Sequence, residues 1–301
     1  MNSSDPRSAP SHRLLWSLLA FMIFFWALNF TVGKVAVREF PPLLAAGLRL
    51  LVSAVLILPL YFWQGSRLRT NRWSLSDVPL LFGLGAVGIA GNQILFLLGI
   101  KRTSVAHASL LFGLAPIFVL LIAAIIGQER ISLRKSIGLG IAFTGVIVLQ
   151  GSAASGGGAT VSGDLLILGA TLAFSLFTVF GKNTTVRLGS ITVNTFGYVI
   201  SALALAPLTI WESRGFDFSS ISAAGWGSIL YMGVFPSVVS YVIYYYALGY
   251  LAASHVAALV YLEPVLAILI AIPLLGESVT SSVAAGGALV LTGVWVTERG
   301  R

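Results

Sequence analysis

Long apolar runs separated by short polar breaks set the plan of this chain. The runs fall near residues 14–32, 43–63, 79–98, 105–126 and 133–151, then near 164–184, 190–210, 226–247, 253–275 and 280–297. Each has roughly the 20 residues that a helix needs to cross a bilayer. The pattern predicts ten membrane-spanning helices. Between the two sets of five lies 151–160, rich in Gly, Ser and Ala, which reads as a joint. The first run exceeds the apolar core of a secretion signal, about 7–15 residues, so it reads as a retained helix.

The second set of five repeats the first. Residues 252–280 form an apolar run with one acid, Glu263, beside Pro264, and residues 104–132 share its layout. The offset is constant at 255 − 107 = 148, placing His107 on His255, Pro116 on Pro264 and Glu129 on Glu277. It also places Thr144, Gly145 and Val146 on Thr292, Gly293 and Val294, and Gly33-Lys34 on Gly181-Lys182. One ungapped offset over most of the chain marks a duplicated unit. Five helices per unit send the second copy into the membrane upside down, the plan of many secondary transporters.

Composition agrees and narrows the chemistry. The chain of 301 residues is 57% hydrophobic and 9% charged, with a mean hydropathy of +0.95. A soluble domain is about 25% charged. This is an integral membrane protein. Without cysteine there is no disulfide, thiolate metal site or thiol nucleophile, and three scattered histidines argue against zinc. No cofactor and no metal are expected. The net charge of +8 sits between apolar runs rather than on one face, which argues for membrane orientation and against nucleic acid.

The charges also orient the chain. With the N-terminus in the cytoplasm, Arg7, Arg13, Arg67, Arg69, Arg72, Arg130, Arg134, Lys135, Lys182, Arg187, Arg299 and Arg301 face inward. Only Lys34, Arg38, Lys101, Arg102 and Arg214 face outward. Cytoplasmic loops carry such an excess. The inversion fits, since Arg130, Arg134 and Lys135 correspond to Ser278, Ser282 and Val283. Lys101 and Arg102 run against the trend.

Each half carries small residues, a mid-helix proline, a Gly/Gln-Glu helix end and a Gly-rich helix after it. These are Ala115-Pro116, Gln128-Glu129 and Gly138 in one copy, and Glu263-Pro264, Gly276-Glu277 and Gly286 in the other. The pattern resembles the EamA unit. Two such units resemble the drug/metabolite transporter superfamily, with most similarity to bacterial amino-acid exporters, the aromatic group included. The resemblance implies an all-α integral membrane protein of ten transmembrane helices in two inverted five-helix EamA repeats. The repeats would occupy 14–151 and 163–298, with a linker at 152–162. It also implies a central cavity lined by the first, third, fourth, sixth, eighth and ninth helices.

Several residues carry more than one reading. The glycines at 83, 85 and 88 match a dinucleotide fingerprint as text, but inside an apolar helix with no preceding strand they read as packing. No P-loop pattern occurs, so transport would run on gradients. Glu263 is a proton carrier, an anchor for a substrate ammonium group, or a paired structural acid; its counterpart is Ala115. Arg49, alone among the arginines inside a span, is a structural pair or lateral anchor, or accepts a substrate carboxylate. His107 and His255 begin equivalent helices and read as caps or packing, with a pH-sensitive gate as the sharper alternative. Glu129 and Glu277 read as fixing their turns. Lys34 and Lys182 sit where long side chains reach headgroups.

Aromatic and amide groups complete the candidate substrate site. Trp26 and Asn29 share a helix face at i and i+3, and Tyr241 and Tyr245 at i and i+4. Asn92 and Gln93 lie midway along the third span, and Tyr261 precedes Glu263 by two residues. Trp26, Tyr241, Tyr245 and Tyr261 would shape the apolar part of a pocket, and Asn29, Asn92, Gln93 and Glu263 would meet polar ends. The competing reading for any one tyrosine is the interfacial belt. Tyr244 and Tyr246 point off the Tyr241 face and read as packing.

These features point to a secondary transporter that exports small metabolites, amino acids first, by alternating access. It would lie in the cell inner membrane with both termini cytoplasmic, meeting lipid and a small-molecule substrate; the sequence is compatible with a monomer and does not fix the oligomeric state. A drug or cationic-compound exporter using Glu263 is the alternative within the same fold. A membrane-embedded lipid-processing enzyme is the alternative outside it. No intramembrane Asp pair, His/Asp cluster or Ser/His/Asp set supports that enzyme, and no continuous polar stripe supports a channel.

Overall fold

A computed structural model describes residues 12–65, 73–154, 159–248 and 262–299. His255, Tyr261, the side chain of Tyr245, and Arg7, Arg67, Arg69, Arg72 and Arg301 lie outside the described residues. The first five helical elements are α1 (His12–Glu39), α2 (Pro42–Gly65), α3 (Leu75–Arg102), α4 (Val105–Ile125) and α5 (Leu133–Ala154). They are followed by α6 (Val161–Leu188) and α7 (Ser190–Ser213). Next comes α8, which enters as Ala223–Val234 and leaves as Ser240–Leu248; α9 (Leu262–Leu275) and α10 (Ser281–Glu298) follow. Eight of these are long and apolar enough to cross a membrane, and α9 and α10 are shorter apolar helices. They match the ten apolar runs in order. Helices α1 and α6 continue past the ends that their charges suggested, because Lys34 and Lys182 do not stop a helix whose backbone bonds are intact.

Prolines explain the internal irregularities. Pro116 has no N–H for the Phe112 carbonyl, and α4 breaks at Gly113 and Leu114 before resuming at Ala115. In α8 the same defect becomes a π-helical turn, Phe235–Val239, around Pro236. Helix α3 carries its own π-helical stretch, Leu84–Gly91. The offset of 148 takes Val87 to Phe235 and Gly91 to Val239, so both repeats unwind at one equivalent place.

Packing carries a two-fold pattern. Helix α5 packs along α10 and α2 along α7. Helix α3 packs on α6 as α8 does on α1, and α4 packs on α6 as α9 does on α1. Adding five, cyclically, takes α5–α10 and α2–α7 onto themselves and exchanges α3–α6 with α8–α1 and α4–α6 with α9–α1. The α5–α10 crossing shows the relation at atomic detail. A Cβ at Gly138 would lie 2.6 Å from the Gly293 carbonyl oxygen, and one at Gly293 would lie 2.6 Å from that of Gly138. Gly145 and Gly286 reciprocate at 2.8 Å. Since 138 + 148 = 286 and 145 + 148 = 293, one contact is the image of the other. Lipid supplies no hydrophobic drive between helices, so close backbone approach at small residues holds them together.

The glycines of α3 serve the same end. A Cβ at Gly85 would meet Ile200 at 2.9 Å, and one at Gly88 would meet Phe177 at 2.6 Å. The text match to a dinucleotide fingerprint is therefore a packing surface against α7 and α6. Large apolar side chains such as Phe62, Ile147 and Leu203 stand about two-thirds or more exposed on the outside of the bundle, where lipid is the solvent.

Candidate functional site

The π-turn of α8 is a hub on which three other helices converge. Pro236 cannot donate to the Met232 carbonyl, and the Ser237 hydroxyl donates to it instead at 2.8 Å. Unwinding exposes further carbonyls. Trp26 of α1 donates its indole N–H to the Pro236 carbonyl at 3.1 Å, and the Tyr198 hydroxyl of α7 donates to that of Ser237 at 3.1 Å. Arg49 of α2 reaches the Ser237 hydroxyl with Nε at 3.4 Å and Nη2 at 3.3 Å. Trp26 lies edge-on to Tyr241, ring centroids 5.9 Å apart, and 6.1 Å from Tyr244.

The structure thus brings Trp26 and Tyr241 together and draws Tyr244, which the helix-face argument had set aside as packing, to the same indole. Tyr241 and Tyr244 are i and i+3 within the regular helix Ser240–Leu248, so the spacing that puts Trp26 and Asn29 on one face puts these two on one face as well. Asn29 follows Trp26 by one turn, and its buried Oδ1 has no hydrogen-bond partner among the described residues.

Asn92 and Gln93 form a second group, on the image side of the two-fold. The Asn92 amide donates to the Ala170 carbonyl of α6 at 2.8 Å, and Gln93 donates to Asn92 Oδ1 at 3.2 Å. Gln93 Oε1 is buried without a partner among the described residues. The offset takes Gln93 to Tyr241 and Trp26 to Phe174, so the groups occupy equivalent places. A chain of rings runs between α1, α3, α4 and α6. Phe30 packs edge-on with Phe96 and Phe112, and Phe112 lies 5.5 Å from Phe174. Glu263, at the start of the described part of α9, makes no hydrogen bond or ion pair with a described residue. Its neighbour Pro264 packs into the α4 break, with Cγ 3.3 Å from where a side chain at Gly113 would begin.

A polar network ties the two repeats together where α3, α4 and α6 meet. His107 Nδ1 lies 2.8 Å from Asp164 Oδ2, both residues 1% exposed. Gln150 donates to the same oxygen at 2.8 Å, and the Thr103 hydroxyl donates to Asp164 Oδ1. Histidine and aspartate, 57 residues apart in sequence, are thus neighbours in space, a pairing that a linear search for a His/Asp cluster misses. Beside them Lys34 does not reach for headgroups. Its ammonium donates to the carbonyls of Ile100, at 2.8 Å, and Thr103, closing the end of α3. Glu277 does not fix its own turn either. It accepts from the backbone N–H groups of Val105 at 2.8 Å and Ala106 at 3.2 Å, capping α4 in the other repeat. Glu129, its image, pairs with Lys135 at 2.9 Å. Among the described residues no cluster of three His, Asp or Glu side chains forms a metal site.

The fold is that of a polytopic helical membrane protein built from two repeated five-helix halves. The chain belongs to the EamA-like transporter family of the drug/metabolite transporter superfamily; the family model matches residues 14–150 and again 161–299. Its relatives include an "Uncharacterized transporter" of Archaeoglobus fulgidus, 33% identical over 95% of this chain and 99% of that protein. A "Probable terminal-alkyne amino-acid exporter" of Streptantibioticus cattleyicolor is 27% identical over 95% and 94%. One solved crystal structure shares the fold with a TM-score of 0.65, at 19% identity over 95% of this chain and 98% of that one. The protein is a multi-pass membrane transporter with a small-molecule substrate.

Proposed function

We propose that this transporter exports amino acids or closely related amphipathic metabolites across the cell inner membrane by alternating access. The observation that carries the reading is the pair of equivalent π-turns, in α3 and α8, set against α6 and α1 at the repeat interface. Unwound backbone in a membrane is tolerated where protein or a cavity covers it, and it marks transporter binding sites. Around these turns Trp26 and Tyr241 supply an apolar wall. Asn29 and Gln93 supply buried amide oxygens without partners among the described residues, groups suited to an ammonium or amide N–H. Glu263 of α9 belongs to the proposed site, together with Tyr245 and Tyr261 on the sequence argument alone. The amino-acid exporter of Streptantibioticus supports the substrate class. The proposed repeats are 14–151 and 163–298, with both termini cytoplasmic.

Uptake of a panel of labelled amino acids into proteoliposomes, with and without a pH gradient, tests the reading. Saturable uptake of neutral or aromatic amino acids without ATP supports it. Movement of cationic dyes with no amino-acid uptake would transfer the site to a cationic-compound exporter, in which Glu263 receives the cation.

A further inference from the structure

Arg49 stands out as a buried cation without a counter-charge among the described residues. Its residue is 3% exposed, and Nη1 has no hydrogen-bond partner among them. The contacts to Ser237, at 3.3 and 3.4 Å, are long for a guanidinium, whose charge-assisted bonds run about 2.7–2.9 Å. Tyr198, Tyr231 and Tyr241 are its electrostatic neighbours, and none carries a negative charge at neutral pH.

The acids are occupied elsewhere. Of ten in the chain, Asp5 and the side chain of Glu298 lie outside the described residues, leaving eight. Asp77, Glu129 and Asp164 hold Arg187, Lys135 and His107. Glu39, Glu212, Asp217 and Glu277 accept from backbone N–H groups. Glu263 alone is left, on α9, with no bond to Arg49. A buried charge without compensation costs several kcal/mol. Nothing among the described side chains offsets that cost.

We infer that Arg49 is the anchor for the carboxylate of the transported molecule, received between α2 and the π-turn of α8. This rests on the proposed export function and deepens it, since it requires that substrates carry a free carboxylate. The chemistry fits. A guanidinium is a planar fork that matches a carboxylate with two parallel N–H···O bonds, and Nη1 is open for one of them. The buried Ser240 hydroxyl, one turn past Ser237, is also without a partner among the described residues and is available to donate to the second oxygen. Trp26 and Tyr241 flank the same turn, so a side chain lying on the aromatic wall places its carboxylate toward α2. Ser237 then acts as a placeholder, holding the guanidinium loosely until the anion arrives.

Full-length protein in proteoliposomes tests this with phenylalanine, phenylalanine amide, phenethylamine and 3-phenylpropionate. Wild-type protein should prefer phenylalanine over its amide by about tenfold or more, since a site built to bond a group rejects the analogue lacking it. Arg49→Gln should erase that preference, and Arg49→Lys should keep part of it. Equal uptake of acid and amide by wild type, or an undiminished preference in Arg49→Gln, overturns the assignment. Arg49-dependent transport of 3-phenylpropionate with none of phenylalanine would end the amino-acid reading and leave the carboxylate anchor standing. If both variants fail to fold, judged by gel filtration in detergent, the comparison of acid with amide on wild type decides alone.

Discussion

His107 and Asp164 belong to different repeats, yet they share a hydrogen bond of 2.8 Å at a point where neither is more than 1% exposed. Asp164 takes three side-chain donors, from His107, Gln150 and Thr103. A carboxylate so completely paired is a strut between repeats.

Asp164→Asn is expected to destabilise the protein by about 1–3 kcal/mol, because the new amide N–H₂ faces existing donors in a buried place. Thermal unfolding in detergent, followed by gel filtration, measures it. An unchanged midpoint would show that the network does not brace the repeats.

The α5–α10 crossing gives a prediction with an internal control. Gly145→Ala puts a methyl group 2.6 Å from the Val290 backbone nitrogen, whereas a Cβ at Gly140 on the same helix meets nothing within 4 Å. Gly145→Ala should lower the yield of folded protein several-fold, and Gly140→Ala should leave it within about 0.5 kcal/mol of wild type. Equal yields of the two would remove the crossing as the seam of the fold.

Trp26→Phe keeps an aromatic ring but removes the donor to the Pro236 carbonyl. The expected stability loss is about 1 kcal/mol, the ordinary net value of one hydrogen bond. Transport should fall further than stability does, because the freed carbonyl sits on the turn proposed to frame the substrate. Initial uptake rates normalised to folded protein separate the two effects.

Glu263→Gln should leave the protein folded and reduce transport by about tenfold or more, as a lost ion-assisted contact of roughly 1.5–3 kcal/mol implies. A proton carrier would lose gradient-driven transport and keep substrate exchange. An ammonium anchor would lose binding and exchange together. Full activity with a lowered melting temperature would make Glu263 structural.

Orientation is testable on a chain that has no cysteine of its own. Ser220→Cys, in the exposed loop between α7 and α8, should react with an impermeant thiol reagent on intact cells. Ser76→Cys, at the start of α3, should react only after lysis. The reverse pattern would place both termini outside.

Much of the architecture was legible without coordinates. Ten apolar runs became helices because a bilayer requires each crossing segment to satisfy its own backbone. The offset of 148 became a two-fold axis because duplicated sequence carries duplicated packing faces, as Gly138 and Gly286 show. Pro116 was legible as a mid-helix proline, and the break before it follows from its missing N–H, a local fact. Trp26 and Tyr241 were named from face and chemistry, and they do meet.

What the tertiary structure decided is which groups face one another. Asp164 drew no notice in the sequence, an acid at the start of an apolar run, until folding set it against His107. Lys34 looked like an interfacial charge and Glu277 like an acid fixing its own turn, and only the neighbouring helix ends turned one into a cap for α3 and the other into a cap for α4. Tyr244 joined the Trp26 cluster because it is i+3 from Tyr241 on the same helix, and the packing of α8 on α1 turns that face to the indole. Arg49 read from the chain alone as a charge with a partner to be found. That it has none among the described residues is visible only once every described acid has been placed. Periodicity and covalent defects act within one helix and are written in the order of residues. Charge pairing, capping across repeats and the exposure of π-turn carbonyls depend on distances between segments that the order of residues does not contain.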